Sequence, residues 1–460
     1  MPDEKKQLMQ QVLLQQIDVL LEKGDKSALS RLLTRHRSSN IAEVVELVDN
    51  DKRRIIFNAL EGVIAAEVLE KVDEATRAEL FDILGDEELQ KIISKLDLDD
   101  AADVLSEMPK EDSAEVLESI GPEESAEIMK LMQYSEDSAG GIMDPVVISV
   151  PEDATVAEAV SEIRAAEIDE DFFSVYVVGK EGNFLGDVRL RLLLTRPENT
   201  KISGLIDPDT IYVTADADQE EVRNIFSKND LIVVPVLNEN RKLIGRITAD
   251  RVIEVAEEEA AEDIFAMAGT DADELDDVSI LHAARVRMTW LLPCLIGTGV
   301  TALVLMFFHS VEPLMYIAVV AFVPMIAAIS GNAGLQTSAI VVCGLATGHL
   351  AAQRLSQVFM REFRVALLVA LCCGIIGGVG CSILLNFRTA VTDAAPIRII
   401  FAFAIAMFSA IMVATTLGLF LPFLFRRIGI DPAISSGPLV TTANDSISVA
   451  IYMTLALLLV

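Results

Sequence analysis

The sequence predicts a multi-domain protein. An α-helical superhelical repeat is followed by a doubled α/β module, an acidic connecting helix and an all-α transmembrane domain of five helices. Three observations carry that prediction: an apolar period of 12 residues from Ala42 to about Tyr134, a β-rich middle whose order of elements occurs twice, and five long apolar runs after Met288. They place the repeat at 1–135, the doubled module at 136–256, the connecting helix and its linker at 249–284, and the membrane part at 285–460.

The repeats begin at positions 42, 54, 66, 78, 90, 102, 114 and 126, and their third, fourth and seventh residues are apolar. Val68, Leu69 and Val72 are one such set; Leu80, Phe81 and Leu84 another; Val104, Leu105 and Met108 a third. Apolar residues at i, i+1 and i+4 form a single stripe on a short helix. Pro109 and Gly121-Pro122 mark turns between repeats. Helices this short are unstable alone, so they must stack into a solenoid. Solenoids offer binding surfaces rather than catalytic chemistry.

From Met143 the pattern changes. VVISVPEDATVAEAVSEIRA reads strand, turn, helix, and SVYVVGKEGNFLGDVRL reads as a hairpin around Gly182. TIYVTADADQEEVRNIFSK and LIVVPVLNENRKLIGRIT repeat those two units about sixty residues later. This doubled order resembles a pair of CBS domains, over about Met143 to Ala256. The resemblance implies adenine-nucleotide (ATP) binding between the halves, through a Gly, two apolar residues, Ser or Thr, two further residues, then Asp. Here Gly245-Arg246-Ile247-Thr248-Ala249-Asp250-Arg251 puts Arg251 in the Asp slot, and Gly186-Asp187-Val188-Arg189 lacks the hydroxyl. The nucleotide signature is therefore incomplete.

ADRVIEVAEEEAAEDIFAMAG reads next as one helix stopped by Gly269. Glu254 and Glu258, Glu258 and Glu262, and Glu259 and Asp263 are each four apart, which sets like charges side by side. Two readings fit: a solvated acidic linker, or a cation sensor built from the oxygen ligands that hard divalent ions prefer. Its place between a regulatory module and a membrane domain brings the second level with the first.

The apolar runs lie at roughly 288–308, 314–345, 365–386, 398–425 and 437–460. Each is long enough to cross about 30 Å of hydrocarbon. A polar start, MPDEKKQLMQ, has no signal-peptide core, so the soluble part is expected in the cytosol. The inner flanks then carry Arg285, Arg287, Arg354, Arg361, Arg364, Arg426 and Arg427, the outer ones only Arg388 and Arg398. This bias puts the carboxyl terminus outside. The second run holds Pro324, Gly331, Asn332, Gly334 and Gln336, read as a helix opened around a polar cavity. The last run continues that polar surface with Pro438, Thr441, Thr442, Asn444 and Asp445; Thr441 and Asp445 share one helix face. A lone carboxylate in a membrane span is costly unless compensated, and no Lys or Arg lies well within any span.

Charge divides the chain as sharply as hydropathy does. From Met288 onward five residues are acidic (Glu312, Glu362, Asp393, Asp431, Asp445) and seven are basic (the Arg354, Arg361, Arg364, Arg388, Arg398, Arg426, Arg427 set). Of 70 acidic and 37 basic residues overall, 65 and 30 thus fall in the first 287 positions, which carry −35 against +2 for the rest. So acidic a surface repels nucleic acid and anionic lipid and attracts cations. All five cysteines lie in the apolar half, which excludes a disulfide framework or a CxxC zinc site in the soluble one. No Walker motif is present, and the four histidines (His36, His282, His309, His349) form no HExxH. ATP-driven pumping and intramembrane metalloproteolysis are disfavoured accordingly, and no enzymatic role is expected.

Pro324 with GNAGLQ (331–336), DPAISSGPLVTTANDS (431–446) and the order of the domains resemble the MgtE family of magnesium channels over nearly the whole chain. The resemblance implies a homodimer in a prokaryotic plasma membrane, with one pore on its two-fold axis and Mg²⁺ as both cargo and regulator. Asp445 falls on the family's ion-binding position, with Asn332 lining the pore beside Gly331, Gly334, Thr441 and Asn444. The regulatory carboxylates fall on Asp250, Glu254, Glu258, Glu259, Glu262 and Asp263. Asp99 and Asp103 of the repeat match less well, and Asp216 and Asp218 of the second CBS unit less again. Where some members carry Asn before the last span's Pro, this chain has Gly437, which removes any side-chain contact there. Transport of Co²⁺ or Mn²⁺, and an ion-coupled carrier, remain the rival readings.

Overall fold

The computed structural model describes residues 2–166, 172–275, 280–347, 350, 355–386, 396–435 and 437–459. It forms two compact units, residues 1–256 and 257–460. The flanking Arg354 and Arg388 lie outside the described residues.

The first unit opens with α1 (Pro2–Lys23) and α2 (Lys26–Leu33). The solenoid then runs through α3 (Ser38–Leu47), α4 (Asn50–Phe57), α5 (Gly62–Lys71), α6 (Glu74–Ile83), α7 (Asp86–Ile93), α8 (Leu98–Glu107), α9 (Lys110–Ser119) and α10 (Pro122–Leu131). A helix begins every twelfth residue from 38 to 122, four residues ahead of the apolar register, because polar caps come first. Asp49 accepts from Lys52 N at 3.0 Å and Asp73 from Thr76 N at 2.6 Å. Packing joins alternate helices: α3 to α5 to α7 to α9, α4 to α6, and α8 to α10. The stripe is buried as its period requires, with Val68, Leu69, Val72, Val104, Leu105 and Met108 all inside. In the last helix of the array Met129 is 46% exposed.

Two arginines two repeats apart close helix ends. Arg53, buried, donates Nε to Val45 O at 2.9 Å and Nη2 to Glu46 O at 3.1 Å. Arg77 does the same to Leu69 O (3.1 Å) and Glu70 O (2.8 Å). The orphan carbonyls of α3 and α5 are thus satisfied by charged donors from the next helix.

The doubled module follows as β1 (Ser149–Pro151), α11 (Val156–Ala165), β2 (Ser174–Val178), β3 (Phe184–Arg189) and α12 (Leu190–Thr195). Its second half is β4 (Val213–Thr214), α13 (Gln219–Asn229), β5 (Val233–Leu237) and β6 (Leu243–Thr248). Each half forms a three-stranded sheet with a parallel first pair and an antiparallel hairpin. The first hairpin turns through Gly182 at φ 79°, as expected; the second uses Arg241 at φ 56°. Val213, Val222, Phe226, Val234, Val236 and Ile247 of the second half share one core with the solenoid. Helix α14 (Ala249–Ala268) follows β6 directly and lends Val252 and Val255 to that core. Gly269, at φ 79°, ends it.

The second unit contains α15 (Ile280–Val311), α16 (Pro313–Val319), α17 (Val323–Ala346), α18 (Leu355–Asn386), α19 (Pro396–Arg427) and α20 (Pro438–Leu459). Among the described residues five helical spans are long and apolar enough to cross a membrane, α16 and α17 together making the second. The expected opening of that span lies elsewhere than the glycines suggest. The interruption is a 3-10 turn at Val320–Phe322, and α17 runs unbroken through Gly331, Asn332 and Gly334. Pro324 stands in the first turn of α17, where a missing N–H costs nothing. The glycines serve packing. A Cβ on Gly418 of α19 would lie 2.3 Å from Gly334 O, and one on Gly334 3.1 Å from Ala414 O. With Ala402, Ala406, Ala410 and Ala414 all fully buried, α19 presents a small-residue stripe that lets backbones touch.

Candidate functional site

Helix α20 carries the carboxylate, and two hydrogen-bonded seams hold that helix in rotation. Toward α17, Asn444 Nδ2 donates to Ser330 Oγ at 2.9 Å, Ser448 Oγ donates to Asn444 Oδ1 at 2.9 Å, and the two serine oxygens are 3.0 Å apart. All three side chains are completely buried. One turn further, Tyr452 donates to Val319 O at 3.0 Å. Toward α15, Thr301 and Ser446 hydroxyls are 2.8 Å apart, and Ser446 Oγ donates to Gly297 O at 3.2 Å. Gly297 is needed there, since a Cβ would stand 2.0 Å from Thr442 Cγ2.

Successive residues of a helix turn by about 100°. Asn444 and Ser446 therefore commit to different neighbours, and Asp445 between them projects into the remaining sector, half-buried. Thr441 stands one turn before it on the same face. A Cβ on Gly331 would lie 3.5 Å from Thr441 Cγ2 and 3.8 Å from Asp445 Oδ1, so the bare backbone of α17 forms the wall of this recess.

Of the residues expected to line a pore, Asp445, Thr441 and Gly331 come together. Gly334 instead faces Ala414 and Val440. Asn444 Nδ2 is also 3.8 Å from a Cβ on Gly331, but its amide is spent on the serine pair of the α17 seam. Asn332 and Gln336 are exposed in the single chain. Sequence reasoning missed Ser330, Ser448, Thr301 and Ser446. A signal existed in Asn444 and Ser448, and in Thr442 and Ser446, each pair four apart on one helix face.

Within the same unit the end of α14 approaches the start of α20: a Cβ on Gly437 would lie 2.4 Å from Met267 O. Glu274, just beyond α14, accepts from Arg287 Nε at 2.8 Å, and that guanidinium, with Thr270, holds its carboxyl below the usual range.

The soluble carboxylates are more dispersed. Asp103 of α8 accepts from Arg251 Nη2 at 2.7 Å, and Arg251 Nη1 reaches Glu254 at 3.3 Å. Burial, joined by repulsion from Glu70 and Asp97, pushes Asp100 up from 3.8 to about 7. Asp99 lies half-buried on the same helix. Asp218 caps α13 by accepting from Glu220 N at 2.8 Å. Asp216 is exposed in the loop before it, and hydrogen bonds from Thr214 and its own backbone lower its carboxyl. Asp250, Glu258 and Glu262 of α14 are exposed, while Glu259 and Asp263 are half-buried. Among the described residues no three His, Cys, Asp or Glu side chains converge as a metal cage. The nucleotide signature is spent on internal pairs. Besides Arg251, the Arg246 guanidinium is buried against Asp144 Oδ2 at 2.6 Å.

An acidic amino-terminal part followed by five helices long and apolar enough to cross a membrane, the last carrying a lone carboxylate, fits the class of a cation-handling membrane transporter. Residues 323–455 match the MgtE family model for a divalent cation transporter, 36–137 that for the MgtE intracellular N domain, and 139–198 and 202–258 that for a CBS domain. The magnesium transporter MgtE of Thermus thermophilus is 32% identical over 457 residues, covering 98% of this chain and 99% of that protein. MgtE of Bacillus subtilis is 31% identical over 328 residues, 71% of this chain and 70% of that protein. A crystal structure of the cytosolic domain of the Mg²⁺ channel MgtE in complex with ATP, 32% identical, matches 52% of this chain and 98% of its own at a TM-score of 0.50. The chain belongs to the MgtE family.

Proposed function

We propose that this protein conducts Mg²⁺ across the plasma membrane as a homodimer, and that Mg²⁺ on its cytosolic side closes it. The observation that carries the reading is the Asp445 recess, a lone membrane carboxylate held in position by a buried seam on one side and a part-buried one on the other. Mg²⁺ gives up its water reluctantly, so a carboxylate pair would hold the hydrated ion through its waters. Two-fold symmetry would bring one Asp445 from each chain to the axis. A monovalent ion would gain about half the Coulomb energy at that place. Thr441 and the Gly331 backbone would border the ion's shell, and Asn332, exposed in one chain, would face the pore. Asn444 is a positioning residue in this scheme.

Closure follows from charge. With the soluble part cytosolic, Mg²⁺ among the carboxylates of α8 and α14 would relieve their repulsion and favour the docked arrangement. For this the ion must bind the docked state better than the separated one. The carboxylates do not form a ready-made cage, so water-mediated contacts fit better than direct coordination by one chain. The nucleotide seen in the relative's complex is a weaker expectation here, since Arg251 stands where the ribose-binding acid would be.

Divalent flux into liposomes, with and without internal Mg²⁺, tests the proposal. Asp445→Ala is expected to abolish flux at unchanged folding; undiminished flux overturns the pore assignment, and flux indifferent to internal Mg²⁺ overturns the gate. Co²⁺ and Mn²⁺ in the same assay set the selectivity, and a dependence on a second ion gradient would identify a coupled carrier.

A further inference from the structure

Arg251 occupies the slot where the nucleotide signature has an acid, and it points elsewhere. Its guanidinium is shared between Asp103 of α8 (2.7 Å) and Glu254 of α14 (3.3 Å), with about a third of the Arg251 and Asp103 side chains exposed. Around it lie further carboxylates. Glu70 of α5, and Asp97 and Asp103 of the α8 region, repel Asp100, and Glu136 repels Asp103; Arg251 opposes that repulsion at both, joined at Asp103 by Arg77 of α6. Lys71 of α5 adds a further cation. It holds Glu70 at 2.8 Å and feels Asp100 and Glu254. Both partners of the Arg251–Asp103 pair lie in the first unit, on elements 148 positions apart.

We propose that Arg251 is a built-in cation that latches the solenoid to the base of the connecting helix, supplying part of the neutralisation that the cytosolic divalent ion would otherwise have to supply alone. The inference rests on the gating scheme above and adds a prediction of sign. A guanidinium is permanently charged and forms directed paired hydrogen bonds. It therefore biases the docked arrangement even when Mg²⁺ is absent, and the ion completes the closure rather than starting it. The alternative role, a fixed charge that merely repels the divalent ion, predicts the opposite response to its removal.

The full-length protein in liposomes and nanodiscs provides the test, with Arg251→Gln to delete the charge at similar length and Arg251→Lys to keep it. Spin labels at the exposed positions Ser106 of α8 and Ile253 of α14 report docking in EDTA. For Arg251→Gln the internal Mg²⁺ that half-closes the pore is expected to rise about 2- to 5-fold, the size expected of one partly exposed ion pair. The label distance in EDTA is expected to lengthen, and Arg251→Lys, which keeps the charge but loses the fork, to fall between the parent and Arg251→Gln in both. An unchanged or lowered half-closing concentration together with an unchanged distance overturns the latch. If parental flux ignores internal Mg²⁺, the gating scheme fails, and the EDTA distances still decide whether Arg251 joins the two elements.

Discussion

Gly437 and Met267 are in backbone contact: a side chain at Gly437 would begin 2.4 Å from the Met267 carbonyl oxygen. The last turn of the connecting helix thus rests on the residue before the final span. The absence of a side chain at this position, just before the last span's Pro438, is what admits the contact. Gly437→Asn is expected to push the helix end away and leave a residual divalent leak at internal Mg²⁺ that silences the parent. Complete closure of the variant would show that this contact plays no part in gating.

The Asn444–Ser330–Ser448 triangle makes a separate prediction. Buried hydrogen bonds between membrane helices contribute about 0.6–2 kcal/mol each. Asn444→Ala therefore frees α20 to rotate without removing any charge. Divalent flux is expected to fall about 10-fold and the ratio of Mg²⁺ to Na⁺ flux to fall with it, because Asp445 is no longer fixed. A purely structural network would lower the amount of folded protein and leave the ratio of the survivors intact. Ser330→Ala combined with Asn444→Ala is expected to cost less than the two single effects added together.

Acidity is expected to favour docking. Asp100, raised to about 7 chiefly by burial, faces Glu70 and Lys71 of α5, Asp97 and Asp103 near it on α8, and Arg251 of α14. The docked arrangement binds a proton that a solvated carboxyl near 3.8 would release. Its advantage is thus full at low pH and declines as pH rises toward about 7. Between pH 6 and 8 the Mg²⁺ needed for half-closure should increase, and Asp100→Asn should flatten that slope. A parental slope of the opposite sign would refute the assignment.

Arg53 bears on stability alone. Its loss strands the carbonyls of Val45 and Glu46 at the end of α3, at a cost of about 2 kcal/mol. In Arg53→Ala, amide exchange across α3 and α4 is expected to quicken roughly 30-fold while α19 keeps its protection. Equal exchange in the two forms would remove the capping role.

Periodicity made much of the architecture readable before any coordinates. The 12-residue register of the solenoid, the repeated strand–helix–hairpin order and the apolar runs each reflect a geometry that local sequence imposes. The α17 helix was misjudged because glycine in a membrane span serves either to open backbone or to bring helices together, and its partners, Ala414 and Gly418, lie far off in the chain. The bond from Asn444 to Ser330 was missed for a related reason. A polar side chain on a helix faces whichever neighbour satisfies it, and Ser330 is 114 residues away. Only Asp445 had its position implied by exclusion, since no basic side chain within the spans could accompany it.

Alternate stacking in the solenoid has a mechanical consequence. Along the row α3, α5, α7 and α9 each helix leans on the next, so a small change of tilt at one joint is passed on and adds up along that row. Eight helices on a twelve-residue pitch behave as a jointed lever rather than a rigid block. A relay built this way can turn the arrival of one small ion into a stroke of useful length without unfolding any of its parts.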